Sequence, residues 1–242
     1  MNLQTRPARL AALAPAALLL AASSALAAPS GTLFSDDFQT GLPKPGWSSN
    51  TIVSFGEPTT WFAGDFSDST AIALRLPAAP PPESSTGSGG GGTGGGGGGS
   101  APDRVRYTLV FDLLAIDSWD GLDPRFGPDA FRVSVNDITR FNEFLANVND
   151  TQTFRNRQPD LGLWHFYGNP NYGDAIYRRV AVPFELPIGI PLEIRFHTTP
   201  LQGLGDESWG IDNVNVGYTY VPAPGALAAL GLTGLLAARR RR

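Results

Sequence analysis

The 242-residue chain has no cysteine. That excludes disulfide staples, thiolate metal centres and cysteine nucleophiles, so any fold must rest on its apolar core, helped at most by an oxygen-bound metal. Only two histidines occur, His165 and His197, and neither sits in a His-Glu-x-x-His zinc helix. The chain lacks a Gly-x-Ser-x-Gly nucleophile elbow, and no Gly-Lys-Ser/Thr follows its glycine run to make a phosphate-binding loop. A Glu-x-Asp-x-x-Glu strand of the sandwich glycosidase kind is also missing. These absences set the expectation that the protein is not an enzyme. Convincing amphipathic helices are absent between residues 30 and 220 as well, which removes helical bundles and alternating α/β folds.

Both ends of the chain, by contrast, are strongly marked. Met1 to Arg9 carries Arg6 and Arg9 without an acid, Leu10 to Ala22 is apolar, and Ala25-Leu26-Ala27 is a small-x-small cleavage site. This is the three-part pattern of a secretory signal peptide over residues 1–27, cut after Ala27 with Ala25 at the preceding small position. At the other end, Val221-Pro222-Ala223-Pro224 is followed by an uncharged stretch, residues 225–238, and by Arg239, Arg240, Arg241 and Arg242. As a helix, residues 225–238 would span about 21 Å, short of the ~30 Å hydrocarbon core. Bilayer thinning and outward-reaching arginines absorb the mismatch, and the arginines fix the cytoplasmic side.

The order of proline-containing tetrapeptide, short apolar segment and arginine cluster resembles the PEP-CTERM sorting signal of exported Gram-negative proteins. Val221, Pro222 and Pro224 match the family's Val-Pro-Glu-Pro, whereas Ala223 stands where glutamate is usual. The resemblance implies processing near residues 221–224 by an exosortase and a transient stay in the inner membrane through residues 225–238. Delivery to the cell surface or to an exopolysaccharide matrix then follows.

Setting aside the six arginines of the two end segments leaves 12 basic against 22 acidic residues, a net −10. Such a body argues against nucleic acid or anionic lipid as a partner and is compatible with cations. Residues 28–220 suffice for one sizeable core. Short runs with period-two alternation recur there: Val105, Tyr107, Leu109, Phe111 and Leu113; Phe131, Val133 and Val135; Val180, Val182, Phe184 and Leu186; Leu192, Ile194 and Phe196. Asn136-Asp137 supplies a hairpin turn into Ile138–Phe141, and Pro183 and Pro187 place their strand at an edge or bulge. The expected fold is an all-β antiparallel sandwich of jelly-roll type. The Pro- and Gly-rich stretch 77–102 reads as a disordered insertion in a surface loop, because glycine buries no side chain and loses the most entropy on ordering.

Trp209 and Ile211 have one strand parity, while Val214 and Val216 have the other, so a β-bulge is expected at Asp212-Asn213. This segment, with Leu33–Phe38 as an opening strand, resembles jelly-roll modules of the MAM and galactose-binding-like kind. Pairing of first and last strands would bring Asp37 near Asp212, a pair of carboxylates suited to calcium as a possible structural ion. A second acidic loop, Asp117 to Asp129, includes Asp120 and Asp123. It departs from the EF-hand spacing and reads as a plain loop or as a cation or ligand loop with Trp119 at its rim. Residues 163–167 form the densest aromatic cluster, in which Trp164 either packs in the core or stacks on sugar rings. The functional expectation is an exported, non-enzymatic surface or matrix protein with structural or glycan-associated duties. A carbohydrate-binding module using Trp119 and Trp164 is one alternative, and a polysaccharide hydrolase is another.

Overall fold

Alternation of apolar and polar side chains sets the long strands of the structure, a computed structural model. It describes residues 30–55, 60–82, 102–147, 151–155, 159–162 and 167–221. Among these there are eleven strands and no α-helix: β1 (Ser30–Asp36), β2 (Ile52–Phe55), β3 (Thr60–Phe66), β4 (Ala71–Leu76), β5 (Arg104–Asp117), β6 (Ala130–Val135), β7 (Ile138–Phe144), β8 (Leu161–Gly162), β9 (Ala175–Pro187), β10 (Leu192–Thr198) and β11 (Glu207–Val221). They form two antiparallel sheets. The larger runs β2-β3-β11-β5-β9-β8, with β1 also on β11, and the smaller runs β4-β10-β6-β7. Strands β1 to β4 precede the glycine-rich stretch and β5 to β11 follow it, yet both sheets draw on both groups.

The inner faces carry the residues that alternation singles out. Val105, Tyr107, Leu109, Phe111 and Leu113 of β5 are buried, as are Phe131, Val133 and Val135 of β6 and Leu192, Ile194 and Phe196 of β10. Rings from the two sheets interlock, with Phe111 edge-on to Phe196 at 5.3 Å and Phe131 edge-on to Trp209 at 5.2 Å. Each such side chain contributes about 1.5–3 kcal/mol through burial, and the edge-on geometry adds a little more. Asn136 and Asp137 both adopt positive φ, 48° and 63°, and close the β6–β7 hairpin as a two-residue turn of primed type. Beyond the short β8, which pairs only with Ala175 and Ile176, the outer edge of β9 is open. Pro183 and Pro187 lie on that open stretch, where a missing N–H costs least.

The bulge in β11 is present. Its pairing with β5 slips between Asp212 and Asn215, Asn213 has a φ of 50°, and Trp209, Ile211, Val214 and Val216 are all fully buried. The inserted residue lets both pairs face the core. The same point divides the other edge of β11: β3 pairs with Trp209 and Ile211, and β1 takes over from Val214 onward.

Candidate functional site

Trp119 does not stand at a rim. It is fully buried, and its indole N–H donates to the Ser208 carbonyl at 2.8 Å. A large ring directly after the long inner strand β5 gains more from the core than from water, and the single polar atom is satisfied there. The glycan-stacking expectation for Trp119 is therefore corrected. Trp164 lies outside the described residues; its neighbour Tyr167 is partly buried and packs edge-on against Phe62 at 5.6 Å. Ala25, Ala27, Pro222, Ala223, Pro224, residues 225–238 and Arg239 to Arg242 also lie outside, as does the glycine run at 83–101. Val221 is the last residue of β11 and pairs with Arg104, so the sheet continues to the first position of the tetrapeptide. Among the described residues no helix is long and apolar enough to cross a membrane.

Strand β1 pairs with β11, with Asp36 opposite Val214. Asp36 is buried and accepts from the amides of Phe38 and Lys44 and from the Trp47 indole, so it organises the turn after β1. Asp37 faces solvent. Burial is the main reason that the Asp212 carboxyl is pushed up to about 7, with the charges of Asp112, Asp37 and Asp36 adding to it. Asp37 and Asp212 share an electrostatic field but gather no third acidic ligand among the described residues. The group that does gather is Asp120, Asp129 and Glu207, whose ligand oxygens lie within 4.8 Å of one another.

Two constellations follow from this placement. The first surrounds Asp112, in the middle of β5 and directly opposite Asp212. Both flanking strands bulge at this level, and each places a residue at positive φ there, Asn213 in β11 and Arg179 in β9. Each bulge delivers a donor: the Arg179 amide to Asp112 Oδ1 at 2.7 Å, and the Asn213 side-chain amide to Asp112 Oδ2 at 3.0 Å. The same Asn213 amide reaches Asp212 Oδ2 at 3.2 Å, so one side chain bridges two carboxylates. These groups border a groove of about 410 Å³ on the outer face of the large sheet, with Phe55, Leu114, Leu161 and Ile176 as its apolar lining and Arg178 also at its wall. An apolar lining with convergent polar groups is the usual character of a small-ligand site. Asp112 was visible in the sequence only as the polar side of an alternating strand; its partner emerges from register.

The second constellation joins the loop after β5 to the start of β11. Asp129 Oδ2 accepts the Asp120 amide, and Glu207 accepts the Gln202 amide at 2.7 Å and its side-chain amide at 3.1 Å. Asp129 and Glu207 are both buried with carboxyl oxygens within 4.8 Å of each other, a pairing of like charges that a proton or a cation would relieve. Burial is the chief cause that lifts Asp129 to about 6 and Glu207 to about 7. Three carboxylates and neighbouring carbonyls match the oxygen preference of calcium. Asp120 and Asp129 were readable as loop acids, whereas Glu207 gave no signal, because its partners arrive from residues about 80 positions away.

No family model matches the chain, and no curated protein does. Among solved structures, it is similar to dimeric latent PorU from Porphyromonas gingivalis, at 11% identity over 81% of this chain with a TM-score of 0.39. It is also similar to the K3 cleaved adhesin domain of Lys-gingipain from the same organism, at 10% identity over 78% of this chain and 99% of that domain, with a TM-score of 0.30. The chain spans 13% of the PorU chain. Likeness at this level assigns neither fold nor activity.

Proposed function

We propose that the chain is an exported, exosortase-sorted protein of the cell surface or extracellular matrix, whose jelly-roll-type sandwich associates with extracellular polysaccharide without turning it over. The observation that carries the glycan reading is the groove around Asp112 and Asp212. Its carboxylates and the Asn213 amide suit sugar hydroxyls, and its apolar lining suits the ring faces. Export rests on the three-part N-terminus, and sorting on the tetrapeptide, apolar segment and arginine cluster at 221–242. Until processing, the inner membrane would hold residues 225–238, with β11 ending against it.

Binding to a panel of neutral and acidic polysaccharides tests the groove. Saturable retention that is lost in Asp112→Asn and Asp212→Asn supports it, and a flat response across the panel overturns it. Reducing-end release by the same preparations separates binding from hydrolysis; none is expected, and turnover that fails in Asp212→Asn would instead establish the hydrolase reading. Deleting residues 222–242 keeps β11 whole and should leave the protein misdirected, so an unchanged final location removes the sorting claim. The same reading assigns a structural calcium ion to Asp120, Asp129 and Glu207. Calcium should raise the melting temperature of the wild type and not of Asp129→Asn; a melting temperature indifferent to chelator rejects the ion.

A further inference from the structure

The outer face of the small sheet runs against the acidic character of the chain. Its four strands carry Arg75, Arg132, Arg140 and Arg195 against Glu143 and Glu193. Basic residues thus prevail there, although the whole chain has 22 acidic residues against 18 basic ones. Phe131, Val133, Ile194 and Phe196 are buried in the core, so alternation leaves Arg132 and Ser134 of β6 and Arg195 and His197 of β10 on the outer face. Register sets Arg195 opposite Ser134 and His197 opposite Arg132. The two arginines therefore hold one diagonal of a four-residue square, and Ser134 Oγ and His197 Nε2, 3.2 Å apart, hold the other. On β4 the positions opposite His197 and Arg195 are Ala71 and Ala73. Beside these small side chains the square opens onto a hollow of about 360 Å³, with Ser69 and Asp137 also at its wall.

The cations of the square are poorly neutralised. Arg75 already pairs with Glu193 at 2.8 Å, and Glu143 has the inward parity of Phe141 and accepts from Thr153. Arg132 donates to the neutral side chain of Asn142 at 2.7 Å and forms no ion pair among the described residues. Arg195 has Asp137 at 3.8 Å, and that carboxylate is largely in water. Burial, and after it the charges of Arg132 and Arg195, hold the His197 ring below its ordinary range, so both guanidiniums act on it. Two guanidiniums flanking a hydroxyl and an imidazole offer forked, charge-assisted donors to carboxylate or sulfate. Among the described residues no large apolar side chain lines the square or the hollow. The face therefore lacks the anchor of a protein hot spot and the stacking platform of a single-stranded nucleic-acid site.

We propose that this face binds an acidic polysaccharide, whose carboxylate or sulfate groups are received by Arg132 and Arg195 and hydrogen-bonded by Ser134 and His197. It does not rest on the groove around Asp112 and Asp212, which opens on the other sheet, and either site can fail alone.

Retention of the full chain on immobilised polygalacturonate, dextran sulfate, unmodified dextran and duplex DNA tests the proposal. The first two separate carboxylate from sulfate as the group recognised, and binding to at least one of them, weakening as salt rises, is expected. Arg132→Gln combined with Arg195→Gln should lower that affinity about tenfold or more, through two lost charge-assisted bonds, with the melting temperature close to that of the wild type. Asp112→Asn should keep this binding, so the groove is judged separately, by the neutral polymers. Wild-type affinity in the folded double variant overturns the proposal. So does equal retention on duplex DNA, which would reduce the face to unselective attraction for polyanions. Loss in Asp112→Asn with none in the double variant places the acidic polymer in the other groove and overturns it too. Sedimentation velocity covers a further occupant: self-association that the double variant abolishes, with no acidic polymer bound by the wild type, assigns the face to a second copy of the chain instead.

Discussion

The slab between the two sheets and the outer side of the large sheet are built on opposite principles. Inside, Phe111, Phe131, Phe196 and Trp209 meet ring to ring, and nearly every residue is apolar. Outside, a smaller apolar cluster of Phe62, Leu114, Ile116 and Ile176 is bordered by Asp112, Asp212, Asp117, Asp65 and Asp174. The interior gains free energy from each side chain that it covers. The outer side retains carboxyl groups that lose hydration and gain few positive partners, a cost that stability alone does not select for. Buried acids whose protonation is displaced toward neutrality are candidates for ligand contact, and the proposed polysaccharide reading accordingly uses the outer side and not the aromatic core.

The largest test of this contrast is Trp119→Ala. As a fully buried core residue, Trp119 should cost about 3–5 kcal/mol on truncation, read from urea denaturation. A loss under about 1 kcal/mol would return the ring to the surface. Next comes the pH dependence of Asp212. Its folded value of about 7 lies above its ordinary 3.8. The folded state therefore holds the proton more tightly, and the stability this provides is complete below the ordinary value and is lost as pH rises toward 7. In metal-free buffer the wild type should lose about 2–4 kcal/mol between these limits relative to Asp212→Asn. Equal pH slopes for the two proteins would place Asp212 in water.

A smaller effect is expected at Asn136, whose φ of 48° suits asparagine in the β6–β7 turn. The side chain also bonds the Pro191 carbonyl and the Glu193 amide, so Asn136→Gly should destabilise by about 1 kcal/mol in thermal unfolding through those lost bonds, and Asn136→Ala by somewhat more because it adds strain at positive φ. The smallest belongs to the exposed pairs of Arg104 and Arg106 with Glu185, at 3.3 and 2.8 Å. Arg106→Ala should leave stability nearly unchanged, and more so at high salt, since both partners keep contact with solvent. A larger loss would mean that the outer side, too, is held by its charges.

Local pattern was enough for the all-β class, for the inward faces of β5, β6, β9 and β10, for the Asn136–Asp137 turn and for the bulge at Asp212–Asn213. Each depends on strand parity or on residues adjacent in the chain, and burying Trp209, Ile211, Val214 and Val216 together leaves the backbone one solution. The signal peptide and sorting tail expected at the two ends are linear patterns as well, and they lie outside the described residues. The acidic sites were not legible in this way. Asp112 meets Asp212 across 100 residues of chain, and Glu207 meets Asp120 and Asp129 across some 80, through register alone. Trp119 shows the same limit from the other side: its loop was readable as acidic and turn-rich, but whether its ring points into the core or outward depends on what packs against it. Periodicity is a property of one strand, so the sequence could set it alone; proximity of charges belongs to several strands at once, and only the paired sheets decided it.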